Sequence, residues 1–182
     1  MVIFVFFLVI LGCAGEPKQE LTTAKEALEK AREAQADRYA LDIFTLAENS
    51  LTEAEDLIAQ KKYSEAKQLL INAKGMADSA ASQASINKEN VKVEAEDAIS
   101  ESQKAMQLLM ETQKAAQDWK IPKEKTDLSQ QMPNWEDQLK LAQGEYNAGN
   151  LDVAKDIASK VYQELNAKNN ELSELLAAKQ KK

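Results

Sequence analysis

SEAKQLLINAKGMADSAASQAS, Ser64 to Ser85, places Ala66, Leu70, Ala73, Ala77, Ala80 and Ala84 at alternating spacings of three and four. That rhythm returns to one face of a helix with about 3.6 residues per turn. Alanine at nearly every inward position predicts close helix approach rather than a bulky core. Gly75 breaks the run of good helix formers at a cost of about 1 kcal/mol against alanine. Tight packing or a bend is the expected reason for it.

The same rhythm extends in both directions. Upstream, a first helix is expected from Pro17, favoured in a first turn, to about Asp37, with Leu21, Ala24, Leu28, Ala31 and Gln35 inward. Arg38 to Asp42 interrupts, and Asp42 is placed to cap a second helix. That helix runs to about Gln60 with Leu46, Ala47, Ser50, Leu51, Ala54, Leu57 and Ile58 inward, before the polar corner Gln60-Lys61-Lys62-Tyr63. Downstream, the stripe slips by one residue at Ile86 to Asn90 and continues through Val91, Ala95, Ala98, Ser102, Ala105, Leu109 and Ala116. Such a stutter is a turn or a local unwinding, and continuity is the favoured reading. A loop bracketed by Pro122 and Pro133 follows Trp119. Two more helices are expected, the first with Trp135, Leu139 and Ala142 inward, joined by the turn Asn147-Ala148-Gly149-Asn150.

Leu51 to Lys67 aligns with Leu139 to Lys155 at a constant offset of 88 residues, and Ala24-x-x-Ala27-Leu28 resembles Ala95-x-x-Ala98-Ile99. The body therefore reads as all-α: an elongated antiparallel bundle of five or six long helices, with tetratricopeptide-like hairpins and two related units in series. The units are residues 20–86 and 91–178, the second carrying the loop 120–133.

The 182 residues hold 29% charged and 5% aromatic side chains, one cysteine, no histidine and a formal charge of −7. Positive charges are scattered among negative ones, where a nucleic-acid binder gathers a basic face; no nucleic-acid partner is expected. Without histidine there is no imidazole base and no His-ligated zinc, and one cysteine makes no thiolate cage. Carboxylates cluster at Glu53-Ala-Glu55-Asp56 and Glu94-Ala-Glu96-Asp97, read as solvated faces rather than cation sites. Neither an enzyme activity nor a cofactor is expected.

The chain opens MVIFVFFLVILGCAGEP, with ten consecutive apolar residues from Val2 to Leu11. A spanning helix needs about 20, and the run instead fits the core of a secretory signal. No Lys or Arg precedes Lys18. Gly12-Cys13 resembles the lipobox of bacterial lipoproteins, which implies residues 1–12 as a cleaved signal, a diacylated Cys13 and a short tether, 13–19. Ala14 after the cysteine, rather than aspartate, implies the periplasmic face of the outer membrane, with inner membrane and cell surface as alternatives. A buried N-terminal helix with an ordinary apolar cysteine is the competing reading.

Ala24, Ala27, Ala31 and Ala34, then Tyr39-Ala40, Leu46-Ala47-Glu48, Leu51-x-x-Ala54, Tyr63-x-x-Ala66 and the stripe to Ala84 resemble a helical domain of unknown function from alanine-rich bacterial lipoproteins. The resemblance covers residues 20–85 well and 92–178 loosely. Leu41 stands where that family commonly has proline. In relatives the domain can precede an OmpA-type peptidoglycan-binding domain; none follows within these residues, so wall attachment is not carried over. The resemblance implies an envelope location and no activity.

Both tryptophans flank the Pro-bounded loop. Trp119, Ile121, Pro122, Pro133 and Trp135 are the candidate partner-binding residues; the alternative is that both indoles cap the bundle end. The expected function is a membrane-anchored scaffold or adaptor for an envelope protein, with a periplasmic holdase for outer-membrane proteins as the second reading. Alanine stripes serve intramolecular bundles and coiled-coil dimers alike, so self-association stays open.

Overall fold

The computed structural model describes residues 15–181; Cys13 and the apolar run before it lie outside the described residues. Among the described residues there are seven helices and no strand: α1 (Lys18–Glu33), α2 (Ala36–Tyr39), α3 (Leu41–Ala59), α4 (Tyr63–Asp118), α5 (Lys123–Thr126), α6 (Met132–Asn147) and α7 (Leu151–Gln180). The fold is all-α, with five long helices and two single turns. The chain divides into two compact units between Lys88 and Glu89, and α4 runs unbroken through that boundary. Its half-buried Asn87 and Val91 carry the stripe from Ala84 to Ala95. Eleven residues thus span three turns, a period of about 3.67 that a helix absorbs without a break.

In the first unit, α1 buries Ala24, Ala27, Leu28 and Ala31. It stops earlier than Asp37 because Gln35 turns left-handed (φ +61°), and α2 adds one turn that tucks in Tyr39 and Ala40. Asp42 does not cap α3. The N-cap is Ala40 with no side-chain bond, and Asp42 lies inside the first turn, where its charge suits the helix dipole. Leu46 is 55% exposed rather than inward. The buried face of α3 is Phe44, Ala47 and Ala54, and Leu46 falls one step outside that three-four register.

Ion pairs record the packing order. Lys25 meets Glu55 at 2.7 Å and Arg32 meets Glu48 at 2.9 Å, so α3 retreats seven residues as α1 advances seven: the two are antiparallel. Lys67 bonds Glu20 at 2.5 Å, and Asn87 Nδ2 donates to the Tyr39 carbonyl at 2.6 Å, which runs α4 parallel to α1. Exposed pairs contribute about 1 kcal/mol or less each; the stability lies in the core. Ala24, Ala54, Leu70 and Ala73 form its centre, flanked by Leu21, Leu51, Ile58 and Leu69.

The second unit repeats the three-helix plan with the rest of α4, α6 and α7. Lys155 meets Glu94 at 3.1 Å, and Ser102 Oγ donates to the Ala158 carbonyl at 2.7 Å, so α7 runs parallel to α4. Here the core is bulkier: Met106, Leu109, Leu128, Trp135, Val161, Leu165 and Leu172. Buried positions recur at the 88-residue offset, with Ala66, Leu70, Ala73, Ala77 and Ala84 answered by Ala154, Ala158, Val161, Leu165 and Leu172. Ala73, Ala77 and Ala84 thus become branched residues in the second unit, while Ala66 stays alanine at Ala154 and Leu70 gives way to Ala158.

Gly75 is exposed, and a Cβ built there meets nothing within 4 Å. Tight packing therefore does not explain it, and α4 continues through it as helix.

Candidate functional site

The second unit holds the segment singled out by its prolines and tryptophans. The final turn of α4 closes at Lys120, left-handed at φ +55°. The Lys120 amide donates to the Gln117 carbonyl and the Ile121 amide to that of Ala116, a Schellman closure. It swings Ile121 inward and leaves Trp119 48% exposed. The segment is not a bare loop. α5 forms one turn, and Gln113 Nε2 on α4 donates to the Thr126 carbonyl at 2.8 Å, tying that turn down.

Asp127 then makes a local turn. Its Oδ1 accepts the Ser129 amide at 2.9 Å, and that bond holds its carboxyl below the usual range. Leu128 is thereby delivered fully buried to the core. α6 follows with Pro133 in its first turn. Trp135 comes inward, 6% exposed, and its indole N–H donates to Glu164 Oε2 on α7 at 2.8 Å.

These elements frame an open groove of about 570 Å³ between the start of α6 and the middle of α7. Gln130, Gln131 and Asn134 line one side, Glu164, Lys168 and Glu171 the other, with Trp135 between. All three charges are engaged: Glu164 by the indole, and Lys168 and Glu171 by each other at 2.8 Å. The three amide side chains make no hydrogen bond to the described residues. Each offers a donor and an acceptor to an incoming group. A smaller cavity of about 250 Å³ lies between Ile121, Pro122 and Lys125 and the end of α7 at Leu175, Ala178 and Lys179.

The five residues expected to bind a partner are therefore dispersed. Trp135 belongs to the larger groove, Ile121 and Pro122 to the smaller cavity, and Trp119 and Pro133 line neither. The indoles do not cap one end together, since one is core and the other half-exposed. Gln130, Gln131, Asn134, Glu164, Lys168 and Glu171 were not anticipated. Their signal in the sequence is the polar file Glu164-x-x-x-Lys168-x-x-Glu171, beside the apolar file of α7.

The carboxylate clusters are exposed. Glu55 pairs with Lys25, Glu94 pairs with Lys155, and Glu96 Oε2 accepts the Tyr146 hydroxyl at 3.4 Å. The hydrogen bond to Glu94 raises the Lys155 pKa, and the one from Lys67 lowers that of Glu20. Among the described residues no group of three or more acidic, His or Cys side chains is placed to hold a metal ion, and no helix is long and apolar enough to cross a membrane.

No curated protein and no solved structure matches this chain. Residues 19–96, which take in α1 to α3 and the first part of α4 but none of the groove, match the family model described as a domain of unknown function (DUF4398).

Proposed function

We propose that this chain is a lipid-anchored, non-enzymatic helical adaptor of the bacterial cell envelope. Cys13 holds it at the periplasmic face of the outer membrane, and the groove between α6 and α7 receives a segment of an envelope protein. The observation that carries the reading is the groove itself. Gln130, Gln131 and Asn134 stand along it with unspent hydrogen-bonding capacity, over a floor fixed by the Trp135–Glu164 bond. Adjacent primary amides suit the alternating donors and acceptors of a peptide backbone or polar helix face. An anchored protein presents such a groove at high local concentration. The anchor is supported by the small-residue-plus-cysteine junction Gly12-Cys13 after ten apolar residues.

The test is photo-crosslinking in intact envelopes, with a photoreactive residue at Asn134 and a control at exposed Glu53 on α3. One discrete adduct from position 134 alone is the expected result. A broad set of outer-membrane clients from both positions overturns the adaptor in favour of the holdase, and no adduct from position 134 overturns both. The mass of the mature N-terminal peptide tests the anchor separately: acylated Cys13 is expected, and an unmodified Met1 start would sink it.

A further inference from the structure

We infer that the groove between α6 and α7 takes a peptide segment that carries arginine. The inference rests on the reading of this groove as a segment-binding site and adds the chemistry of the segment.

Charge supplies the first argument. The ionised side chains that line the groove are Glu164 and Glu171 against Lys168. Lys168 and Glu171 cancel across their 2.8 Å contact. Glu164 accepts the indole N–H of Trp135, but that donor is neutral and the carboxylate keeps its charge. A carboxylate has about four acceptor sites, and the indole takes one. The lining therefore carries a surplus negative charge. The flanking turns of α6 and α7 do not offset it, since Glu136, Asp137 and Glu174 stand exposed against Lys140 and Lys160.

Burial supplies the second. The Lys168 side chain is 19% exposed, and that of Glu171 beside it 56%. An anionic segment would reach the ammonium only by displacing Glu171, and would then lie against Glu164. A cation meets the Glu164 carboxylate without displacing the indole. The groove thus discriminates by sign as well as by shape.

Donor geometry supplies the third and separates arginine from lysine. A guanidinium is a planar fork of N–H donors that serves acceptors on two sides at once. Acceptors stand on both walls here: the Glu164 carboxylate on α7, and opposite it the side-chain carbonyls of Gln130, Gln131 and Asn134. An ammonium is a compact point charge and lacks that fork. The amide N–H groups remain for the backbone carbonyls of the segment.

The experiment uses the full chain carrying Trp119→Phe, so that Trp135 alone reports from the groove by fluorescence. The probes are dodecapeptides of serine and asparagine with two arginines, two lysines, two glutamines or two glutamates at the centre, titrated at low ionic strength. The arginine peptide is expected to shift the emission at about tenfold lower concentration than the glutamate peptide, with lysine and glutamine between. Glu164→Gln keeps an acceptor for the indole and removes the charge. It is expected to weaken the arginine peptide about tenfold and leave the glutamine peptide unchanged. Glu171→Gln, which breaks no core bond, uncovers Lys168 and is expected to narrow the gap between arginine and glutamate. Glu53→Gln on α3, exposed and equal in charge change, is expected to alter nothing. Peptides that bind alike, a lysine peptide as tight as the arginine one, or an equal loss in Glu53→Gln overturns the inference and leaves the groove standing. No response to any peptide removes the groove and the inference together.

Discussion

Lys61 and Gly149, 88 residues apart, hold the same left-handed backbone (φ +60° and +82°) at the same point of two helical hairpins. The bonds around them match one for one. The Lys61 and Lys62 amides donate to Ile58 and Leu57, and the Gly149 and Asn150 amides donate to Tyr146 and Glu145, all at 2.9–3.0 Å. The following helix closes alike, Ala66 to Lys62 and Ala154 to Asn150. Both are Schellman closures, and one of them carries a residue poorly suited to its conformation.

That mismatch predicts opposite outcomes for two substitutions. Lys61→Gly removes a left-handed penalty of about 1 kcal/mol and raises the unfolding midpoint in urea. Gly149→Ala imposes the same penalty, since the added Cβ meets nothing within 4 Å, and lowers it by about 1 kcal/mol. Equal signs would mean that the two corners are not equivalent.

Gly75 gives a cleaner gain. It sits exposed inside α4 with open space around the missing Cβ, so Gly75→Ala is expected to add about 0.8–1.0 kcal/mol from helix propensity alone. Thermal unfolding followed by circular dichroism checks this. A loss of stability would show that Gly75 is covered by another molecule in solution.

The two tryptophans separate by fluorescence. Trp119 is half-exposed, and Trp135 is buried with its N–H on Glu164. In the Trp135→Phe variant the remaining emission is expected to be red-shifted and strongly quenched by acrylamide. In Trp119→Phe it is expected to be blue-shifted and protected. Trp135→Phe also loses a bond to a charged acceptor, costing about 1–3 kcal/mol.

Much of this was legible in the sequence because helices announce themselves by period. The stripe from Ala66 to Ala84, the 88-residue offset and continuity across Ile86 to Asn90 needed only spacing. What misled was composition without register. Leu46 is apolar, which predicts an inward position, yet Phe44 holds that face. Asp42 is a good cap residue in the wrong place, because the left-handed turn at Gln35 let α2 form and α3 begin at Leu41. The groove was hidden for a different reason. Its amides come from the start of α6 and its charges from the middle of α7, and no one-dimensional pattern joins polar residues about 30 positions apart.

Asp127 links that groove to pH. Its carboxylate accepts the Ser129 amide, and this bond chiefly holds its pKa below the ordinary Asp value of about 3.9. A lowered folded pKa means the contribution is fully present above the unfolded value and is lost as pH falls through the folded one. The Ser129 amide resonance is therefore expected to titrate with a midpoint below about 3.9. In Asp127→Asn the turn persists through the side-chain carbonyl and the titration disappears. Asp127→Ala loses the turn at every pH, and with it the register that seats Leu128 in the core just ahead of Gln130 and Gln131 at the groove. A photoreactive residue at Asn134 should then crosslink less in Asp127→Ala and normally in Asp127→Asn. Equal yields in the two would separate the turn from the groove.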